Sequence, residues 1–374
     1  MVKNLKVCMR LTSHPKYSSG GSERQMDLIG QHLIKKNVDV HFIINKITKA
    51  QKEYEEINGI KVHTIGRLRD YKTYRNRKNF LKIIESTDSS LFYKHFFKFT
   101  SDIYHLMGAD FITGVWAFYS RIIKKKKIVF TAASILDCKK NGFGWSKITN
   151  QVYKYGVQHA DQVVVLADYM KKEMYKNYNV KSIVIKSGHP IPKGDFRKND
   201  PPLILWISRL DKLKCPDLFI KIFKELKYLN AQFVLIGSGN YLKNEIIKFS
   251  EQYDNFTFIP GVKQYIDNDY YAKASLLINT SSSEGFPNAF IQAWMYKTPV
   301  ISLNVDPDDV ISNYNLGFHA KGNFQKLIDS IKDLIENPSK IKDIGKNCRE
   351  YAISNHDIEQ TSNQHHSLYK KLLQ

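Results

Sequence analysis

Apolar positions along this chain fall into short runs separated by stretches of helical period, and the two patterns alternate from end to end. In the first half, runs at residues 6–11, 38–44, 61–65, 103–107, 128–131, 162–166 and 182–186 read as strands. They are short, rich in β-branched or aromatic residues, and bounded by polar or turn-forming positions. Residues 22–35, 111–123 and 145–159 between them place apolar side chains on one helical face. A polar stretch at 187–202, with Pro and Gly, breaks the alternation and reads as a linker. Strand runs then resume at 203–207, 233–236, 256–259, 276–279 and 300–303, with helices predicted at 218–229, 241–249 and 290–296. From 324 onward the pattern is mostly helical.

Alternating strands and helices imply parallel sheets covered on both faces, with ligands outside the carboxyl ends of the strands. The fold class is therefore α/β. Single cores stop growing at roughly 250–300 residues, so a chain of 374 is expected to form two domains. The boundaries read as 1–190 and 191–355, each Rossmann-like and doubly wound, with a C-terminal helix at 356–374 packing back on the N-terminal domain.

Composition narrows the class. With 43% hydrophobic and 13% aromatic residues, the chain can fill two cores, which excludes disorder. Cys8, Cys138, Cys215 and Cys348 form no CxxC pair and no Cys/His metal spacing, so buried thiols in a reducing cytoplasm are expected. The N-terminal apolar run is short and broken by charge, and reads as a first strand rather than a signal peptide. No uncharged apolar run approaches the ~18 residues of a membrane span. Net charge is +21, and it is lopsided. Residues 1–190 hold 34 basic and 15 acidic residues; residues 191–374 hold 23 and 21. A one-sided excess points to a surface for something anionic.

The most informative stretch is 280–299, TSSSEGFPNAFIQAWMYKTP. An apolar run ends in small polar residues. Then come Glu284, Gly285, Phe286, Pro287 and Asn288, and then a helical pattern. Pro287 fits a first helical turn, where a missing N–H costs nothing. A helix opening just after a strand directs free N–H groups and a positive dipole end at the crevice, which suits phosphate. Glu284 beside it can accept hydrogen bonds from hydroxyls. Together these suit a nucleotide sugar.

This stretch resembles the signature of the family 4 retaining glycosyltransferases, in which a first Glu is followed eight residues later by a second. Glu284 matches the first; Gln292 stands at the second, a departure. The resemblance implies a GT-B fold, two Rossmann-like domains facing each other across a cleft. It implies a nucleotide-sugar donor, a UDP-sugar by default, with no obligatory cofactor or metal. Glu284 would then contact the donor sugar, Gln292 the ribose, and Gly285, Phe286 and Asn288 the donor. Arg209 and Lys214, four residues apart after a strand run, match the family's cationic pair and suit the pyrophosphate and its departure. Gly237 and Gly239 after the next run would admit close approach of the donor, and the backbone at Val262 would read the base.

In the N-terminal half, Gly20, Gly21 and Glu23 match a Gly-Gly-x-Glu loop that the family carries toward the donor phosphate. Ser22 within it also suits a helix N-cap. Many family members place a His where this chain has Ala133, a second departure. Glu23, Ser134 and Asp137 are then the polar candidates on the acceptor side, and His105 is expected to be a structural histidine. A retaining reaction in which the leaving phosphate takes the acceptor proton needs no enzymic base.

Arg75, Arg77, Lys78 and Lys82 precede an aromatic stretch at 91–99 that includes Phe92 and Phe96. Basic residues beside an aromatic amphipathic stretch suit contact with an anionic membrane; a core helix with a solvated basic face fits equally. The chain is thus expected to move a sugar to a glycan or lipid-linked acceptor at the inner face of a bacterial membrane, in surface polysaccharide synthesis. The competing readings are a sugar-nucleotide epimerase, which Ala133 disfavours, and an inactive partner subunit that binds membrane. No nucleic-acid module is visible, so nucleic acid is not an expected partner.

Overall fold

The computed structural model describes residues 4–18, 20–65, 100–123, 125–261 and 264–374. The expected membrane-contact residues Arg75, Arg77, Lys78, Lys82, Phe92 and Phe96, and Val262, lie outside that set. The chain forms two compact units, Met1–Gly188 with Ile358–Gln374, and His189–Asp357.

The first unit holds one eight-stranded sheet, β3-β4-β2-β1-β5-β6-β7-β8. Its strands are β1 (Lys6–Arg10), β2 (Asp39–Asn45), β3 (Tyr54–Ile57), β4 (Ile60–Ile65), β5 (Ile103–Met107), β6 (Lys127–Ala132), β7 (Gln162–Val165) and β8 (Ser182–Val184). The second holds a six-stranded sheet, β11-β10-β9-β12-β13-β14. These are β9 (Leu203–Leu210), β10 (Gln232–Gly239), β11 (Phe256–Pro260), β12 (Leu276–Asn279), β13 (Val300–Ser302) and β14 (Gly317–His319). Among the described residues every strand pairing is parallel except β3 with β4. Both sheets are Rossmann-like, and strand order reverses between β1 and β5 in one and between β9 and β12 in the other. Loops leaving the carboxyl ends at such reversals diverge and leave a crevice.

The described helices are, in chain order, α1 (Gly21–Ile34), α2 (Phe111–Phe118, continued by a π turn at Tyr119–Ile123), α3 (Lys147–His159), α4 (Asp168–Tyr178), α5 (Pro216–Leu226), α6 (Lys243–Ser250), α7 (Gln264–Lys273), α8 (Asn288–Met295), α9 (Val310–Asn313), α10 (Phe324–Glu336), α11 (Pro338–His356) and α12 (Ile358–Leu373). Their apolar stripes explain their seats. On α5, Phe219, Ile222, Phe223 and Leu226 recur at three- and four-residue spacing and all are buried. They meet Phe233 and Phe256 of β10 and β11, with Phe223 edge-on to each at 5.1 and 5.0 Å between ring centroids. α2 and α3 pack so closely that a Cβ on Gly114 would lie 1.9 Å from the carbonyl oxygen of Val152. Only glycine fits there.

Three departures from the pattern have physical causes. β3 has the sequence YEEI, too acidic to read as a strand, yet it pairs with β4 at the sheet edge. Asn58 and Gly59 make the two-residue hairpin turn, with φ of 51° and 79°. α1 begins at Gly21 with Gly20 as N-cap, so Ser22 is inside the helix rather than capping it. Cys215 is partly exposed, whereas Cys8, Cys138 and Cys348 are buried.

α12 belongs to the first unit and lies on α1. Thr361 Oγ1 donates to the Lys186 carbonyl at 3.1 Å, and Ile358 crowds Gly188 so that a Cβ there would meet its Cα at 2.6 Å. His105, fully buried in mid-strand, is hydrogen-bonded through Nδ1 to the Tyr369 hydroxyl at 2.6 Å and through Nε2 to Thr131 Oγ1 at 2.7 Å. Both ring nitrogens are committed, and the histidine ties this helix to the sheet.

Candidate active site

In the second unit, the two loops that flank the strand-order reversal are stitched together. One runs from the end of β9 to α5, residues 211–215; the other from β12 to α8, residues 280–287. Thr280, fully buried, is the pivot. Its hydroxyl lies 2.9 Å from Trp206 Nε1, which donates to it, and within 2.8 and 2.9 Å of the Lys214 and Cys215 carbonyls. Ser282 adds two contacts, its N–H and its hydroxyl both reaching the Leu213 carbonyl at 2.8 and 3.2 Å. The first loop is turned by Asp211, whose Oδ1 accepts the N–H groups of Leu213 and Lys214 at 3.1 and 3.2 Å. Cys215 in the left-handed region and Pro216 at the first helical position then start α5.

This stitching brings Lys214 against Glu284. Ammonium and carboxylate form a direct ion pair, each side chain only 14% exposed. Seventy residues apart in sequence, they meet because their loops leave neighbouring strands. Arg209, at the end of β9, is more exposed and pairs with Asp211 at 3.2 Å. The crevice thus holds two ion pairs, Lys214–Glu284 just before α8 and Arg209–Asp211 on the neighbouring loop.

α8 opens at Asn288, with Pro287 as the extended N-cap rather than inside the first turn. Asn288 is held from the side by His189, whose Nε2 lies 3.1 Å from Asn288 Oδ1. Gln292, one turn on, is 8% exposed. Its Nε2 donates to the Asn288 carbonyl at 3.3 Å, while its Oε1 is buried with no hydrogen-bond partner. A buried acceptor without a donor is costly, by about 1–3 kcal/mol, and a donor such as a hydroxyl would relieve it. Phe286 is turned into the core against Trp294 and His356, so any ligand contact from it falls to its backbone.

Gly237 and Gly239 at the end of β10 are explained by the neighbouring strand. A Cβ on Gly237 would meet the Leu210 side chain at 2.7 Å, and Gly239 has φ of 126° with its Cβ position 2.7 Å from the Leu210 carbonyl. Their first duty is close packing against β9, and the bare backbone at the crevice follows from it.

In the first unit, Gly20 and Gly21 lie where the loop after β1 enters α1, beside the reversal between β1 and β5. The Glu23 carboxylate folds back over Gly20, close enough that a Cβ there would clash with it, and accepts from Ser22 Oγ at 2.9 Å. It occupies the positive end of α1. Ser134 and Asp137 form a reciprocal cap on the turn Ile135–Cys138. Asp137 accepts from the Ala133 and Ser134 N–H groups at 2.7 and 3.0 Å, and burial pushes its pKa up to about 6 against those donors. Both side chains are therefore committed to shaping the loop that follows β6.

Sequence reading missed Thr280 and His189. Thr280 looks like one more small polar residue in a Ser-rich loop; its role depends on Trp206 from another strand. His189 lies in what reads as a linker. Among the described residues no cluster of three or more His, Cys, Asp or Glu can hold a metal, and no helix is long and apolar enough to cross a membrane.

Arg209→Ala and Lys214→Ala should each weaken nucleoside diphosphate binding by about 1.5–3 kcal/mol, the usual worth of a charge-assisted contact. Lys214, the more buried of the two, should give the larger loss. Titration calorimetry showing unchanged affinity for both variants would remove the cations from the phosphate site.

Comparison with known proteins agrees with this architecture. Residues 19–190 match the model described as Glycosyltransferase Family 4, and residues 191–351 the model described as Glycosyl transferases group 1. An uncharacterized glycosyltransferase of Methanocaldococcus jannaschii is 24% identical over 86% of this chain and 88% of its own length. A capsular polysaccharide biosynthesis glycosyltransferase of Staphylococcus aureus is 25% identical over 85% of this chain and 86% of its own. The fold of the sucrose-phosphate synthase from Thermosynechococcus elongatus superposes with a TM-score of 0.81, at 16% identity, covering 99% of each chain. Two sheets of this topology, the paired family models and relatives matched over most of their length make the chain a glycosyltransferase of GT-B fold, related to the group 1 and family 4 enzymes that transfer sugars in polysaccharide pathways.

Proposed function

We propose that this glycosyltransferase works with retention of configuration, from a UDP-sugar donor to a glycan or lipid-linked acceptor of surface polysaccharide synthesis. The observation that carries the reading is the Lys214–Glu284 pair beside α8, at the strand-order reversal of the second unit. Lys214 and Arg209 take the pyrophosphate, at the positive end of α8. Glu284 accepts from the hydroxyls of the donor sugar. Gln292 offers its unpartnered Oε1 to the ribose.

In the reaction the bond from the anomeric carbon to the phosphate oxygen breaks, and a bond from the acceptor oxygen forms on the same face. The acceptor proton passes to the departing phosphate, so Ala133 in place of a histidine is no obstacle. Lys214 and Arg209 stabilise the negative charge that develops on the leaving group. The capsular relative supports the polysaccharide assignment by its own described role.

A screen of nucleotide sugars with a lipid-linked glycan acceptor tests this, reading the anomeric configuration of the product by NMR. An α-linked product from an α-linked donor is expected. Inversion, or release of sugar to water alone with every acceptor, would overturn the reading. Gln292→Glu should keep activity within a few-fold, because a carboxylate presents the same acceptor to the ribose; loss of diphosphate affinity in a folded variant would place the ribose elsewhere.

A further inference from the structure

We propose that residues 139–148, in the first unit, form a docking surface for an anionic lipid membrane. The loop follows the capped turn Ile135–Cys138 beyond the carboxyl end of β6 and runs into α3. It presents Phe143, 43% exposed, and Ile148, 54% exposed. Exposed large apolar side chains this close together carry a standing cost in water unless something covers them.

The tip is built rather than loose. The Phe143 ring stacks on Trp145 with centroids 4.9 Å apart and planes 18° off parallel. Trp145 stands edge-on to buried Tyr153 at 5.7 Å, and the Tyr153 hydroxyl donates to the Asp137 carbonyl at 2.8 Å. The Asn150 side-chain amide ties Asn141, Trp145 and Ser146 together at 3.0, 3.0 and 3.1 Å. Gly142 is pressed so near the turn beneath that a Cβ would lie 2.3 Å from the Leu136 carbonyl. A preformed aromatic tip loses little conformational freedom on binding.

Charge identifies the occupant. Lys139, Lys140 and Lys147 are all exposed around the aromatic pair. No acidic residue occurs between Asp137 and Asp161. A small apolar tip with lysines before and after it in the loop suits a fluid anionic bilayer. Lysine stems can lie along it while their ammonium groups meet headgroups, and Trp sits at the interface. Each lysine near such a surface is worth about fivefold in partitioning, an effect that salt screens, whereas insertion of Phe143 and Ile148 resists salt. This surface uses none of the basic residues at 75–82 and is independent of the donor chemistry.

Trp145 supplies the test. The other three tryptophans, Trp116, Trp206 and Trp294, are buried, so a change in emission on adding vesicles reports this loop. Phosphatidylcholine vesicles with 30% phosphatidylglycerol should shift the emission to the blue and protect it from iodide. Pure phosphatidylcholine vesicles should do neither. Replacing Lys139, Lys140 and Lys147 together by Gln should lower partitioning on the order of a hundredfold. Phe143→Ser should lower it in a way that persists at high salt. Circular dichroism and diphosphate binding, unchanged in both variants, separate lost docking from lost fold. Unaltered emission with anionic vesicles, or a triple variant that partitions like the parent, overturns the proposal. So does an emission change with soluble polyphosphate but none with vesicles, which would make the loop a site for a soluble polyanion.

Discussion

Glu284→Ala is expected to lower turnover on the order of 10²–10³-fold, the usual loss when one preorganised charged or hydrogen-bonding group is removed from a transition state. Affinity for the nucleoside diphosphate should not fall with it. In the parent, the Glu284 carboxylate is paired with Lys214. Its removal leaves the Lys214 ammonium without that counter-charge in a site where both side chains are 14% exposed. A phosphate then meets a cation that no longer has to be shared. Diphosphate binding should therefore hold or tighten while sugar transfer collapses. Calorimetry and initial rates on the same preparation decide it. A parallel fall in both would mean that Glu284 serves to position Lys214 rather than to hold the sugar.

Acid should destabilise the first unit well before carboxylate protonation would account for it. Burial drives the His365 and His41 pKa values down to about 4, and that of His105 well below the ordinary value. All three stay neutral when folded, but would take up protons in the unfolded chain near pH 6.5. The unfolded state therefore binds more protons between pH 6.5 and 4, and stability falls as pH drops through that window. A histidine that is neutral folded and charged unfolded contributes about 1.4 kcal/mol per pH unit. Asp137 acts the other way. With its pKa raised to about 6, stability rises as pH falls from about 6 toward the ordinary carboxylate value of 3.8. One carboxyl offsets one histidine, so a net loss of stability remains. His365 has no partner for Nδ1, which makes it the cleanest probe. His365→Leu should flatten the slope, read by Trp116 fluorescence or amide exchange in the first unit. An unchanged slope would show that these imidazoles charge without unfolding.

The motif at 280–299 and the alternating pattern were legible because each rests on local chemistry. Period 2 and period 3.6 are properties of short windows, and so is a helix opening after a strand. Glu284, Lys214 and Arg209 can be named as candidates from such windows together with a family likeness. Their juxtaposition cannot, because it requires strand order, and strand order is a global property of the sheet. Gly237 and Gly239 show the same limit. A glycine pair after a strand reads as room for a ligand, yet the steric demand comes from Leu210 on the adjacent strand.

The sequence by itself determined that two α/β units form, and it named candidate residues for phosphate and sugar. It did so because burial of parallel strands demands continuous apolar runs, and capping demands particular residues at helix ends. Only the tertiary structure decided that Thr280 and Trp206 lock the two loops, that Lys214 neutralises Glu284, and that Ser134 and Asp137 cap each other. It also revealed that Phe143, stacked on the partly buried Trp145, stands exposed near lysines. Those outcomes turn on partners tens of residues away, where hydrogen-bond geometry and close packing choose among the many contacts that a linear pattern allows.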